Sequence, residues 1–431
     1  MIHGLYTIIL WLASLFFIPY HIVRSLQRER PVALAGRFGL VSGADCAVLQ
    51  GNRPIWVHAV SVGETIAVTP LIKAMKERFP DRKIVISNVT ETGRSIALKI
   101  PEADLCIYFP FDFTFAAHLL FRKIDPAVVL IVETEIWPNF LRSSRRLGIP
   151  TVMVNGRISD RSFPRYLRFK WFFRAVLTDF SRFCMQTRED ARRITAMGAP
   201  ADRVEVTRNL KYDIPAMAIT PAHKAETRRA YAIPDSVAVF TAGSTHQGEE
   251  EQIVAAYRRL CAGNQSAFMV LVPRHPERAP QVAELLVREG LTFTLRSQLT
   301  SSSGEFHAGQ VLLVDTVGEL MRLYAASDLV FVGGSLVPTG GHNILEPASL
   351  RIPVLFGPHM SNFRESAALL LACGGGMEVQ NGEELSAVLA DLFQDEAKRM
   401  EMGESGARLM EENRGSTGLH LRVVESLLEG A

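Results

Sequence analysis

Residues 58–70, "HAVSVGETIAVTP", place Glu64 where an apolar run hands over to a helix. A carboxylate there has two available jobs. It can stabilise the helix terminus, worth about 0.3–1 kcal/mol, or it can face a cleft and take the proton of an attacking hydroxyl as a general base. Backbone donors at a helix start weaken a carboxylate as a base. The second job therefore needs desolvation or a nearby negative charge to restore basicity. "VETEIWPNF" adds Glu133 and Glu135 at the end of another apolar run, spaced so that their side chains diverge if the strand continues. Trp137 in that segment reads equally as core or as a sugar platform.

A second group suits anion chemistry. In "FVGGSLVPTGGHNILEPASL", residues 331–350, Gly333, Gly334, Gly340 and Gly341 permit close backbone approach and positive φ after a buried strand. Asn343 is placed to open the next helix, whose free N–H groups attract phosphate. Glu346 follows one turn later, where it can accept from ribose hydroxyls, and Pro347 confines the helix start. The bland alternative is a glycine turn with a capping residue. "VLVPRHPE" sets Arg274 and His275 after a strand, and the planar fork of Arg274 suits a phosphate. "TAGSTHQGEEE" supplies Ser244, Thr245 and His246 as further donors, and "DTVGEL" offers Gly318 and Glu319 to a base or sugar. The glycine segment lacks both the G-K-[ST] of a Walker loop and a G-x-G-x-x-G fingerprint. His342 and Glu346 are not in zincin order, so no metal is expected.

These residues sit on a repeating grammar. "PIWVHAV", "KIVISNV", "AVVLIVET", "TVMVNG" and "FCMQT" are Val/Ile-rich runs without clean polar alternation, as parallel strands covered on both faces require. Helical stretches follow them, near 64–77 and from about Thr90 onward, so a doubly wound α/β sheet is the economical solution. The polar stretch 210–227 interrupts the pattern, and "SVAVFTAG", "AFMVLVPR", "VLLVDT", "DLVFVGG" and "IPVLFG" resume it. The serine-rich 296–310 reads as a surface loop. The expected organisation is a membrane anchor over 1–24, a first domain over 25–211 and a linker over 212–225. A second domain over 226–405 and a helical segment over 406–431 packing across both complete it. Strand ends of two such domains line a cleft where ligands bind.

The 431 residues carry 47 basic and 45 acidic side chains, a net charge of +2 that gives no reason to expect nucleic acid as a partner. Five scattered cysteines without C-x-x-C suit a reducing compartment. Leu5 to Val23 is apolar and long enough for a roughly 30 Å hydrocarbon layer. With Arg24, Arg28 and Arg30 following it, the body is expected on the cytoplasmic side of an uncleaved anchor or monotopic insertion. Residues 155–177 are basic and aromatic. A helix after Pro164 would align Arg165, Arg168 and Trp171, while Phe169, Phe172, Phe173 and Val176 broaden an apolar stripe. With Arg157 and Arg161 this patch suits an anionic membrane surface or a phosphorylated lipid, and a packed helix with a solvated basic face is the alternative.

Together "HAVSVGE", "VETEIWPN", "NGR", "RNLKYD", "AGSTHQGEE", "LVPRHPER" and "GGSLVPTGGHNILEPA" make the chain resemble, along nearly its whole length, the 3-deoxy-D-manno-octulosonic acid (Kdo) transferases of Gram-negative envelope synthesis. The resemblance implies a GT-B fold: two Rossmann-like domains facing across a cleft, with an N-terminal membrane helix at the inner membrane. It implies inverting transfer of Kdo from CMP-Kdo to lipid IVA, with Glu64 as the base and no compulsory cofactor. CMP contacts are implied at Pro273, Arg274, Val317, Gly318, Glu319, Asn343, Ile344, Leu345 and Glu346, alongside Ser244, His246 and Gly341 from the motifs above. Supporting or transition-state roles are implied for Glu133 and Lys211. A glycine often precedes "NLK" in the family, where this chain has Arg208. Inner-membrane phospholipid completes the expected partners. Another nucleotide-sugar transferase, such as a lipid-linked N-acetylglucosamine transferase, and a membrane scaffold with a degenerate cleft remain open alternatives.

Overall fold

A computed structural model describes residues 2–27, 33–214, 220–263, 266–299 and 306–429. Arg28 and Arg30, the 215–219 part of the expected linker and the 300–305 part of the serine-rich loop lie outside them. The chain divides into two compact units, Met1–Asp213 with Asn413–Ala431, and Ile214–Glu412.

The first unit is built on seven strands: β1 Ile55–His58, β2 Ile84–Asn88, β3 Leu105–Tyr108, β4 Val128–Val132, β5 Thr151–Gly156, β6 Arg182–Met185 and β7 Val204–Val206. Their order is β3-β2-β1-β4-β5-β6-β7, with every pair parallel. Every residue of β1, β2, β4 and β5 is buried, because the pleat sends alternate side chains into two cores. Trp56, Val85, Val129 and Ile131 enter one with Phe121 and Phe140. Ile55, Val57, Ile86, Leu130 and Val132 enter the other with Val68, Leu71 and Ile72. In the first core the Trp56 indole donates to Ser87 Oγ at 2.8 Å, which satisfies its buried N–H. The chain's last helix, Ser416–Glu429, packs Val423, Val424 and Leu428 into the second core.

Strand order reverses between β1 and β4. In doubly wound sheets ligands bind beyond the carboxyl ends at such a point, and those two ends lead to Glu64 and to Glu133.

The second unit repeats the plan with β8 Ala238–Thr245, β9 Ala267–Pro273, β10 Phe293–Leu295, β11 Val311–Leu313, β12 Leu329–Val332, β13 Val354–Phe356 and β14 Gly376–Glu378. The order is β10-β11-β9-β8-β12-β13-β14, again all parallel. Here the reversal lies between β8 and β12, whose ends carry Ser244–His246 and Gly333–Gly334. These are the two Rossmann-like halves of a GT-B fold.

Three local expectations are corrected. The single helix expected after Pro164 is two, Phe163–Arg168 and Lys170–Leu177, broken at Phe169, whose ψ of 29° departs from helical values. Phe169 is therefore exposed instead of joining an apolar stripe, and Val176 is core. β4 stops at Val132 and Glu133 takes φ 58°, so Glu133 and Glu135 do not diverge along a continuing strand. The helix expected from Asn343 begins at Leu345 and lasts five residues.

Candidate active site

Ser61 caps the helix Val62–Arg78. Its hydroxyl accepts from Glu64 N–H at 3.4 Å and donates to Glu64 Oε1 at 2.9 Å, while Val60 N–H donates to Glu64 Oε2 at 2.6 Å. The glutamate is held by both oxygens in a variant of the capping box whose backbone donor is Val60, the residue before the cap. Burial nevertheless wins over those donors and pushes the carboxyl up to about 7, with the Glu133 charge adding to the rise and Lys211 opposing it. Glu135 is likewise raised to about 7, by burial first and then by Glu64 and Glu133. The left-handed turn at Glu133 thus gathers three carboxyls where the sequence suggested divergence.

Lys211 supplies the balancing charge, its Nζ 4.0 Å from Glu133 Oε1. A chain of polar contacts fixes the turn that carries it. Asn209 Oδ1 accepts from Lys211 N–H at 3.0 Å, and Asn209 Nδ2 donates to Gln186 Oε1 at 2.9 Å. Asn155 Oδ1 accepts from Leu210 N–H at 3.0 Å, and Asn155 N–H donates to His420 Nε2 at 3.0 Å. His420 Nδ1 lies 2.8 Å from Ser416 O. That pairing requires the neutral ring with its proton on Nδ1, and burial holds the His420 pKa down near 4. Gln186, Asn155 and His420 escaped the sequence reading; the "NGR" motif was the single visible signal among them.

The second unit gathers most of the expected donor-binding residues. Glu249 is the organiser: it accepts from the N–H groups of His246 (2.8 Å), Gly334 (2.6 Å), Ser335 (3.2 Å) and Leu336 (3.2 Å). One buried carboxylate therefore pins the end of β8 to the glycine segment after β12. Gly333 is obligatory in that junction, since a Cβ there would stand 2.6 Å from Ser244 O and 2.7 Å from Glu249 Oε1. Next to it Glu250 takes a bidentate pair from Arg278 at 2.7 and 2.8 Å and a bond from Thr245 Oγ1 at 3.0 Å.

Above this platform His246 Nε2 and His342 Nε2 are 2.8 Å apart with rings stacked at 6°, and His275 approaches edge-on. Burial and the neighbouring cations lower both pKa values, His342 to about 4. Arg274, exposed after β9, acts electrostatically on His246, His342 and Glu346 alike, which places His246, Arg274, His342 and Glu346, with Asn343 bonded to Glu346, in one neighbourhood. Asn343 Oδ1 accepts from Leu345 N–H and its Nδ2 donates to Glu346 Oε1, both at 3.1 Å. Gly341 bends with φ 76° against Met360.

Other expected contacts are used differently. The Ile344 and Leu345 side chains are fully buried and the Leu345 N–H is given to Asn343, so neither side chain is open to a ligand, and Pro273 is buried as well. Val317 to Glu319 follow β11, on the far side of β9 from β8. Val317 is 81 % exposed. Burial would raise the Glu319 carboxyl, but Thr316 and Arg296 hold it low, and Arg296 and Tyr231 already occupy Oε1 at 2.9–3.1 Å. In the first unit, Arg157, Arg161, Arg165 and Arg168 are exposed. Among the described residues no set of three or more His, Cys, Asp or Glu side chains is arranged to hold a metal ion.

Comparison with known proteins bears on this arrangement. Residues 33–214 match the 3-deoxy-D-manno-octulosonic-acid transferase (kdotransferase) family. The chain is 34% identical over 400 residues to the 3-deoxy-D-manno-octulosonic acid transferase of Haemophilus influenzae, covering 92% of this chain and 91% of that protein. The Bordetella pertussis transferase of the same name is 31% identical over 401 residues, covering 91% of each. Among solved structures, a glycosyltransferase from Rickettsia africae superposes with a TM-score of 0.52 at 14% identity, over 88% of this chain and 100% of that one, a likeness of fold. By its sequence relatives and its two-sheet architecture, this chain belongs to the Kdo transferase family, and the reaction it performs is Kdo transfer.

Proposed function

We propose that the chain transfers Kdo from CMP-Kdo to lipid IVA with inversion, using Glu64 as the general base. Glu64 takes the proton of an acceptor hydroxyl while that oxygen bonds to the anomeric carbon. The bond from that carbon to the CMP phosphate oxygen breaks, and its electron pair leaves with CMP. The protonated Glu64 then returns its proton to solvent. The observation that carries the reading is the Glu64 carboxyl at the β1 switch point, raised by burial to about 7, where a base is half-ionised at working pH and still strong enough to help.

The donor is assigned to the second unit, with Arg274 on the phosphate, Ser244 and His246 beside it, and Asn343 and Glu346 on the sugar of the nucleotide. The backbone of Gly341, Ile344 and Leu345 borders that place, and Pro273 positions Arg274. Val317, Gly318 and Glu319 flank the base. Because Glu319 already receives Arg296, a ligand would meet the backbone of this segment before its carboxylate. Glu133 and Lys211 balance charge around Glu64. Arg157, Arg161, Arg165 and Arg168 face the acceptor phosphates or anionic headgroups. The body stands on the cytoplasmic side of the inner membrane, attached through the N-terminal helix.

The test is purified protein incubated with CMP-Kdo and lipid IVA, with products resolved by mass. Increments of one Kdo residue support the proposal. CMP-Kdo consumption only with a different acceptor would replace lipid IVA, and turnover by Glu64→Gln at the normal rate would remove Glu64 from the base role.

A further inference from the structure

The N-terminal helix α1, Ile2–Gln27, is long and apolar enough by composition to cross a membrane, yet it is fastened to the body of the first unit along its length. His3 Nε2 stands 3.6 Å from Asp179 Oδ2. The Thr7 hydroxyl is 3.0 Å from Asn139 Oδ1. Tyr6 meets Phe172 with ring centroids 6.0 Å apart, Trp11 meets Phe113 at 4.6 Å, and Phe17 meets Phe111 at 5.4 Å. Contacts from His3 to Phe17 cover about 21 Å of axis at 1.5 Å per residue.

The polar side chains follow the same face. His3, Thr7, Leu10, Ser14 and Phe17 recur at helical spacing and are the sheltered positions, with Ser14 4% exposed. The opposite face, Leu5, Ile8, Leu12, Leu15 and Phe16, is apolar and open, Phe16 to 79%. A helix surrounded by lipid has no use for such a division; one lying between protein and lipid requires it.

A spanning helix would carry its N-terminal end across the hydrocarbon layer. Here that end lies against Asp179, which is paired with Arg145 at 2.9 Å, and Arg142 and Arg146 act on His3 as well. Spanning would drag these charges into or through the bilayer, where ionised side chains are costly. We infer that α1 lies in the plane of a single phospholipid leaflet, with its N-terminus on the same side of the membrane as the body. The apolar surface continues past it through exposed Phe115, whose ring stacks on Trp11 at 6.2 Å, and exposed Trp171, 6.1 Å from Phe172. Exposed Arg165, Arg168 and Lys170 flank it, a charge suited to anionic headgroups. Topology therefore follows from these contacts and not from the basic residues after the apolar run.

The full chain, carrying a protease-cleavable tag at each end, tests this in sealed inner-membrane vesicles and in spheroplasts. The in-plane helix predicts that both tags are cut in the same preparation and both protected in the other. Cleavage of the two tags in opposite preparations, or protection of the N-terminal tag in both, overturns it. A second variant guards against an effect of the tag: Gly4→Cys fits, since a Cβ there meets nothing within 4 Å. In Gly4→Cys/Arg145→Cys a short bis-maleimide should join the two sites in the membrane-bound enzyme, with the linked peptide read by mass, and absence of that peptide counts against the inference. Neither readout needs transfer activity, so failure here is separable from failure of the lipid IVA assignment.

Discussion

Lys211 Nζ lies 4.0 Å from Glu133 Oε1, and the two act with opposite sign on the same neighbour: Glu133 raises the Glu64 carboxyl and Lys211 lowers it. That distance is at the limit of an ion pair, so the ammonium is shared and not spent on one carboxylate. Removing it in Lys211→Ala leaves the glutamates uncompensated, and the pKa governing Glu64 rises. A base must be ionised to act, so the acidic limb of the pH profile of kcat/KM should move to higher pH, with activity at pH 6 falling more than at pH 8. Lys211→Arg should restore much of the limb. A profile that drops uniformly at all pH values would show Lys211 to act by structure alone.

Glu64→Gln separates chemistry from binding. The amide oxygen can keep the Val60 N–H while the Ser61 hydroxyl turns to accept from the new NH2, but the amide takes no proton, so transfer should fall by about 10²–10⁴-fold, the usual worth of a positioned base. CMP-Kdo affinity by calorimetry should change little. The same variant carries a linkage signature. A carboxyl raised from 4.5 to about 7 favours folding fully below its unfolded pKa and loses that contribution as pH rises through 7. Wild type should therefore lose stability between about pH 4.5 and 7 relative to Glu64→Gln, read as a gap in Tm larger at pH 8 than at pH 4. An equal gap at both would deny the raised pKa.

Glu249 should matter to the donor without touching it. Its four N–H partners lie on two separate segments, and hydrogen bonds to a charged group are worth roughly 1.5–3 kcal/mol each, with strong non-additivity. Glu249→Ala should cost on the order of 3 kcal/mol in urea unfolding and also weaken CMP-Kdo binding, because the glycine segment loses its tether. Glu249→Gln, which retains acceptor lone pairs, should lie between. Donor affinity unchanged in a folded Glu249→Ala protein would detach this clamp from the donor site.

Arg274→Ala tests the phosphate assignment directly. Arg274 reaches His246, His342 and Glu346 electrostatically and is exposed, so its loss should spare stability. A desolvated charge contact on the donor is worth about 1.5–3 kcal/mol, and CMP-Kdo should bind roughly 10–100-fold more weakly. Equal affinity for CMP-Kdo in variant and wild type would place the phosphate elsewhere.

The inner strands were legible because burial on both faces leaves Val/Ile-rich runs, whereas the edge strands β3, β7, β10 and β14 were not, being short and only partly buried. Glu64 was legible because it stands at a strand-to-helix handover; the Ser61 cap that holds it is a feature of the structure. Glu135 was not: whether it converges on Glu64 depends on the left-handed backbone of Glu133, and residue type says little about φ there. Glu249 stands in a run of three glutamates that reads as a solvated helix start, although three of its four N–H partners lie beyond residue 330. His420 carries no local signal at all, since its meaning is the N–H of Asn155, 265 positions away. The break at Phe169 has no proline or glycine to announce it.

Arg208 offers the last test, because it holds a left-handed backbone in the turn that leads to Lys211. Its φ is 64°, a region costing a residue with a Cβ about 1–2 kcal/mol. The side chain gives something back, since its guanidinium donates to Arg414 O at 2.6 Å. Comparing wild type with Arg208→Gly would mix strain relief with loss of that bond. Arg208→Ala and Arg208→Gly both lose it, and only glycine relieves the backbone. Glycine's own entropy cost in the unfolded chain, about 0.5–1 kcal/mol, offsets part of the gain. The Gly variant should therefore exceed the Ala variant by about 0.5–1 kcal/mol in denaturant unfolding. It should also retain more transfer activity, because the turn it relaxes is the one that carries Lys211. An Ala variant as stable as the Gly variant would mean that this turn stores no strain and that the arginine costs the fold nothing.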